Sequence, residues 1–360
     1  MVGVAPSQLG NIKLKWETTI QSDVGIDVGL FKDRLSITAD VYYKKSRDLL
    51  LNSPISLYSG YTSVYRNVGD IEVKGFELSL NSANLVGKLK WNSSFNIAFN
   101  RSKVLSLNDN QTFFATGILG RRVVGQYLVK VGDPLGQMYG YQYAGQFRTQ
   151  EELINGAQIA GASVLGSKRY VDISGANGVP DGKIDQNDMT ALGNGNPLFF
   201  GGLNNEFRYK SFELSFLFTY SYGNKVLNSL KSVLTRPQSY RSGLASIMDS
   251  WTPDNINAAL PKWGTTNTEY DINSSYQVED GSYIKLKTLL IGYTVPVALT
   301  KRASIKNLRF YFSASNLLTF TNYSGYDPEV SYFNSIVTPG ADMGAYPRAK
   351  VFTFGINLGL

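Results

Sequence analysis

The sequence predicts an all-β protein, part of a transmembrane antiparallel barrel, and three observations carry that prediction. Segments of ten or more residues alternate apolar and polar side chains with period two. The links between these segments are by turns short and long. Aromatic residues make up 13% of the chain, and glycine fills 35 of its 360 positions, a composition suited to strands and turns.

Taken in order, nine strands are expected, at 18–31, 34–45, 71–81, 88–101, 200–210, 212–222, 281–295, 307–320 and 350–360. In Arg34–Lys44, Leu35, Ile37, Ala39, Val41 and Tyr43 share one face, and Ser36, Thr38, Asp40, Tyr42 and Lys44 the other. In Lys88–Asn100, Leu89, Trp91, Phe95, Ile97 and Phe99 oppose lysine, asparagine and serine. Phe212, Leu214, Phe216, Phe218 and Tyr220 oppose Ser211, Glu213, Ser215 and Thr219, and the closing "VFTFGINLGL" repeats the pattern. A further strand pair is expected within Arg121–Phe147. Strands of soluble sandwiches average about five or six residues. Strands of about 9–11 residues, apolar outside and polar inside, span a bilayer around a wet lumen.

The links are tight at Lys32–Asp33 and Lys210–Ser211, short at Ser82–Gly87, and slightly longer at Pro296–Lys306. They are long at 45–70, 102–198, 222–280 and 321–349. Short periplasmic turns and long outer loops have this order. The first and last strands then both run towards the periplasm. Such an odd set does not close an even-stranded antiparallel barrel, so residues 1–360 are expected to be the C-terminal portion of a larger one. Of the aromatics, Tyr42, Tyr43, Trp91, Tyr209, Tyr220, Tyr293 and Phe320 are expected in the two membrane-interface girdles. Asp40, Lys44, Asn96, Glu206, Arg208 and Glu213 are expected to face the lumen.

Composition narrows the function. There is no Cys and no His, which removes disulfides, thiolate nucleophiles, His bases and the usual zinc, copper and haem ligands. Enzymatic chemistry is not expected. The net charge of +7 comes from 35 basic and 28 acidic residues, scattered without a basic block, so nucleic acid is not an expected partner. No segment approaches the about 18–20 apolar residues of a transmembrane helix. "MVGVAPSQLGNIKLKWE" is not a signal peptide, so either the protein stays in the cytoplasm or its true beginning lies upstream.

Five segments carry a family resemblance. They are "NIKLKWETTIQSDVGIDVGLFKDRLSITADVYYKKSRDLL", "DGKIDQNDMTALGNGNPLFFGGLNNEFRYKSFELSFLFTYSYGNKV", "VEDGSYIKLKTLLIGYTVP", "NLRFYFSASNLLTFTNYSGYDPEV" and "YPRAKVFTFGINLGL". In this order and spacing, from Asn11 to Leu360, the chain resembles the SusC/RagA-type TonB-dependent outer-membrane transporters. The resemblance implies a barrel of roughly 22 strands filled by an N-terminal plug. It also implies import of oligosaccharide or peptide, drive from the TonB system through that plug, and a SusD-like surface lipoprotein as partner. Glycan is the commoner cargo in the family. The plug and N-terminal modules are expected to be absent from this stretch. Leu360 departs from the terminal aromatic common in such barrels.

Two groups of residues are candidate sites. The stretch "NGVPDGKIDQND" aligns with a twelve-residue calcium loop, with Asn177, Asp181, Lys183 through its carbonyl, Asp185 and Asp188 at ligand positions and Gly182 at the turn. Val179 stands where the family form, "D-x-N-G-D-G-x-I-D-x-x-D", has an oxygen ligand; Asp172 lies near enough to substitute. The bland alternative is an Asx-rich turn without an ion. The second group is aromatic. Tyr240, Trp251, Trp263, Tyr270 and Tyr276 lie in one long link and offer ring faces to a sugar or peptide, or else pack the loop. Two other functions fit less of the sequence: a passive porin or adhesive barrel, and a soluble secreted calcium-binding β protein.

Overall fold

The structure is a computed structural model that describes residues 9–55, 57–61, 63–107, 112–115, 126–235, 242–262, 273–331 and 335–359. Its frame is one antiparallel sheet of nine strands, each hydrogen-bonded to the next in chain order. We label them β1 (Thr18–Leu30), β2 (Leu35–Arg47), β3 (Gly69–Val86), β4 (Leu89–Leu107), β5 (Phe199–Tyr209), β6 (Phe212–Tyr222), β7 (Tyr283–Thr294), β8 (Asn307–Thr321) and β9 (Val351–Gly359). All nine expected strands are present. β3 and β4 run further than expected because bulges between Asp70 and Ile71 and between Ala83 and Leu85 break the alternation at their ends. The β1–β2 turn holds Phe31, Lys32 and Asp33 at φ of 56°, 59° and 62°, in the left-handed region. The extra pair within Arg121–Phe147 exists as Tyr127–Val129 against Gln137–Tyr141, but it belongs to a separate four-stranded sheet in the β4–β5 loop.

Register separates the two faces of the wall. Phe199, Leu203, Phe207 and Tyr209 stand opposite Tyr222, Phe218, Leu214 and Phe212 on the outer face. Asn204, Glu206 and Arg208 stand opposite Leu217, Ser215 and Glu213 on the inner one. Outer aromatics gather at two levels. One holds Trp91 stacked on Phe207 at 5.4 Å and Phe212 against Tyr293 at 4.7 Å. The other holds Phe99 and Tyr222 against Phe199, at 5.8 and 5.1 Å. Trp91 and Phe99 lie eight residues apart on β4. At about 3.3 Å per residue and a tilt of about 40° that is roughly 20 Å, close to the apolar band of an outer-membrane barrel. Tyr42 is a correction: it shares the inner face with Asp40 and Lys44.

Little of the wall is buried within the chain, and every residue of β1 is exposed. The packed core lies in the outer loops and the ends of β3 and β4 that meet them. Leu49, Val68, Ile71, Val104, Leu107, Val129, Leu135 and Val337 form one cluster, and Tyr127, Met138 and Leu227 a second. Each cluster joins loops far apart in sequence. A three-stranded sheet does the same, with Lys225–Asn228 central between Val278–Asp280 and Ala341–Asp342. The long links therefore fold into a cap over one end of the wall.

Candidate functional site

The lumen face begins as a ladder of polar side chains. Thr38 donates to Asp27 at 2.6 Å, and the Thr19 and Ser46 hydroxyls meet at 2.7 Å. Longer side chains cross a glycine on the next strand to reach the strand beyond. Tyr42 lies over Gly75 and donates to Asn100 Oδ1 at 2.6 Å. Glu213 lies over Gly292 and pairs with Arg309. A Cβ on Gly292 would stand 2.3 Å from the Glu213 carboxylate, so the pair needs glycine there.

The densest charge cluster forms where the cap meets this wall. A bulge between Leu286 and Thr288 lies in register with an irregularity in β8, and it leaves Lys285 and Lys287 on the lumen side. The β8–β9 loop returns Asp327, Glu329 and Arg348 to them. Lys285 Nζ donates to Asp327 Oδ1 at 2.9 Å and to Glu329 Oε2 at 2.7 Å, and only 1% of its side chain is exposed. Lys287 and Arg348 reach the same Glu329 oxygen at 3.0 and 3.2 Å. Tyr283 donates to Glu329 Oε1 at 3.1 Å. Burial alone would raise the Glu329 carboxyl, but hydrogen bonds from Lys285 and Lys287, and their charges, outweigh it and bring it down to about 2. Three cations thus share two carboxylates.

A second cluster holds the β6–β7 loop. Glu279 accepts from the Ser324 backbone and hydroxyl, both at 2.9 Å, and pairs with Lys231 at 3.1 Å. Burial opposes its ionised form, yet these bonds and the Lys231 charge leave its carboxyl below the ordinary value. Tyr323 donates to Asp342, and burial first, then that bond, push its phenol well up.

The expected site residues fare differently. Asp188 is fully buried, and its oxygens accept from the backbone of Ile173, Ser174 and Asp185 at 2.9, 3.2 and 2.8 Å. Asp181 accepts from Lys183 N and Asp185 from Asn187 N, while Asn177 and the Lys183 side chain are exposed. Asp172 spends one oxygen on Gly182 N at 2.7 Å. Among the described residues no three His, Cys, Asp or Glu side chains converge as a cation site would need. Asp181, Asp185 and Asp188 each accept from a backbone N–H, as carboxylates in Asx turns do. Trp251 is only 4% exposed, covered by Gly166 and Lys262, and its indole donates to Arg148 O at 3.3 Å. The Lys168 and Lys231 ammonium groups lie 4.5 and 4.8 Å from the centre of the Tyr276 ring. Trp251 is packed within the cap, and Tyr276 is half-buried. Tyr240, Trp263 and Tyr270 lie outside the described residues.

Sequence reasoning missed the Lys285–Glu329 cluster. Its signal was present: lysines at alternate positions in "YIKLK" and carboxylates at alternate positions in "YDPEV". Nothing in a single sequence says that these two segments meet.

Residues 2–317 match the family model described as TonB dependent receptor-like, beta-barrel. The chain belongs to this family. It is 35% identical to TonB-dependent receptor P3 of Formosa agariphila over 99% of its own length and 35% of that protein's. It is 27% identical to TonB-dependent receptor SusC of Bacteroides thetaiotaomicron, over 97% of this chain and 32% of the relative. Among solved structures, a RagAB peptide transporter superposes with a TM-score of 0.79 at 24% identity, covering 99% of this chain and 37% of that one. That likeness concerns the fold. The chain thus spans about a third of the length of the relatives it matches. It forms part of an outer-membrane β-barrel, in a family of receptors rather than enzymes. A soluble calcium protein is thereby set aside.

Proposed function

We propose that this chain supplies wall and outer cap to a TonB-dependent importer of oligosaccharide or peptide. The observation that carries the reading is the cap itself, folded over a polar wall and tied to it by charge through Glu329. A passive pore is best served by an open mouth, whereas a captured cargo needs a structured one. The relatives agree in kind: one is named SusC, and another assembly is described as a peptide transporter. A SusD-like lipoprotein is the expected partner on the cap, and the TonB system the expected source of drive. Glycan is the first cargo to test, since the family imports it more often. The experiment is uptake of fluorescent oligosaccharides and of fluorescent peptides by cells carrying the receptor, with and without TonB. Uptake of one class that stops without TonB is the expected result. Uptake that persists without TonB would indicate a passive pore.

A further inference from the structure

The two free edges of the sheet carry the first half of a pattern that is complete inside it. Inside the sheet, a long side chain crosses a glycine to reach the next strand but one. Tyr42, Gly75 and Asn100 stand in straight register across β2, β3 and β4, and the bridge closes at 2.6 Å. Tyr220 crosses Gly201 and donates to Asn96 O on β4 at 2.8 Å. Glu213 crosses Gly292 to Arg309 on β8, two residues from the position in register with that glycine.

The same geometry recurs at both edges. Tyr311 on β8 lies over Gly355 on β9. A Cβ there would meet its Cζ, Cε1 and hydroxyl at 2.2, 2.3 and 2.4 Å, against 2.1, 2.3 and 2.4 Å for Tyr42 over Gly75. The Tyr311 hydroxyl, unlike that of Tyr42, makes no hydrogen bond among the described residues. At the other edge Asp40 lies over Gly25, where a Cβ would stand 2.2 Å from its carboxylate oxygen. Asp40 is flanked on β3 by Glu77 in direct register, and like charge directs it towards β1. Neither carboxylate has a cation partner among the described residues.

We infer that these are half-bridges that set the register of the adjoining barrel strands. The strand beyond β9 carries a hydrogen-bond acceptor in register with Gly355. The strand beyond β1 carries Lys or Arg in register with Gly25 or two residues away, as Arg309 does for Glu213. The occupant is a strand of the remaining barrel, not a second copy of this one. β1 and β9 run in the same direction, so two copies inserted alike would meet in parallel, against the antiparallel order of the whole sheet.

The inference is independent of what the receptor carries, and its test does not use transport. A photo-crosslinking benzoylphenylalanine is placed at Tyr311 in the receptor as it stands in outer-membrane vesicles, and separately at Tyr42. The Tyr42 probe should link to Leu89–Leu107. The Tyr311 probe should link to a strand outside residues 1–360, without a mass increase if that strand is on the same polypeptide and with one if it is not. Links only to lipid, to this sequence, or to a second copy of it overturn the proposal. Tyr311→Phe provides a probe-free check: it should lower the thermal midpoint of the barrel as far as Tyr42→Phe does. A shift no larger than that of Tyr346→Phe, a ring left 93% exposed, would count against it.

Discussion

Glu329 is one carboxylate holding three cations, and its removal is costly because it takes away one of the two carboxylates that pair with Lys285. Lys285 is buried, and Asp327 alone would have to compensate it. Breaking a buried pair by deleting one partner costs about 3–5 kcal/mol, and Glu329 belongs at the low end since 16% of its side chain is exposed. Glu329→Gln should therefore loosen the β8–β9 loop by about 3 kcal/mol. Amide hydrogen exchange over 322–331 and 335–350 checks this; unchanged protection would refute it. The same carboxylate sets a pH window. Its pKa is depressed from 4.5 to about 2 in the folded protein, so its contribution is complete above 4.5 and is lost as pH falls towards 2. Protection of this loop should decline over that interval, and the decline should be absent in Glu329→Gln.

At the scale of strands, adjacent residues live in different solvents. Leu203 faces outward, midway between Phe199 and Phe207, and Asn204 faces the lumen. Leu203→Arg should cost about 2–4 kcal/mol at mid-bilayer, and Asn204→Arg little. Thermal unfolding in vesicles measures both, and equal costs would mean that the faces are wrongly assigned. Glycine positions allow a sharper comparison. Gly292→Ala should destabilise the wild-type sheet by displacing Glu213 from Arg309, and should cost about 1 kcal/mol less in a Glu213→Ala background. Additivity of the two changes would leave the crossing without energetic content. The strands were legible because one residue in two must be apolar over their whole length. The cap was not. Its strands are short, as in Ala341–Asp342, and pair with Lys225–Asn228 more than a hundred positions away. Neither length leaves a periodic trace. Trp251 and Tyr276 show the same limit: an aromatic in a loop looks alike whether it awaits a ligand or fills a core.

For the whole molecule, the cap is the cooperative unit. Tyr127 and Met138 come from the β4–β5 loop, Leu227 from the β6–β7 loop, and all three are fully buried together. The Tyr127 hydroxyl donates to Pro339 O at 2.8 Å, which adds the β8–β9 loop to the same knot. Met138→Ala would leave a cavity at this junction, a change worth about 2–4 kcal/mol. The barrel strands make their own ladders, so their protection should not change. The three loops share one core, so the destabilisation should appear in all of them. Hydrogen exchange should rise together near Gln137–Tyr141, Lys225–Asn228 and Ala341–Asp342. A rise confined to Gln137–Tyr141 would show that the loops open singly. Any opening movement of the cap then involves one loop, whereas a shared core requires the cap to move as a body.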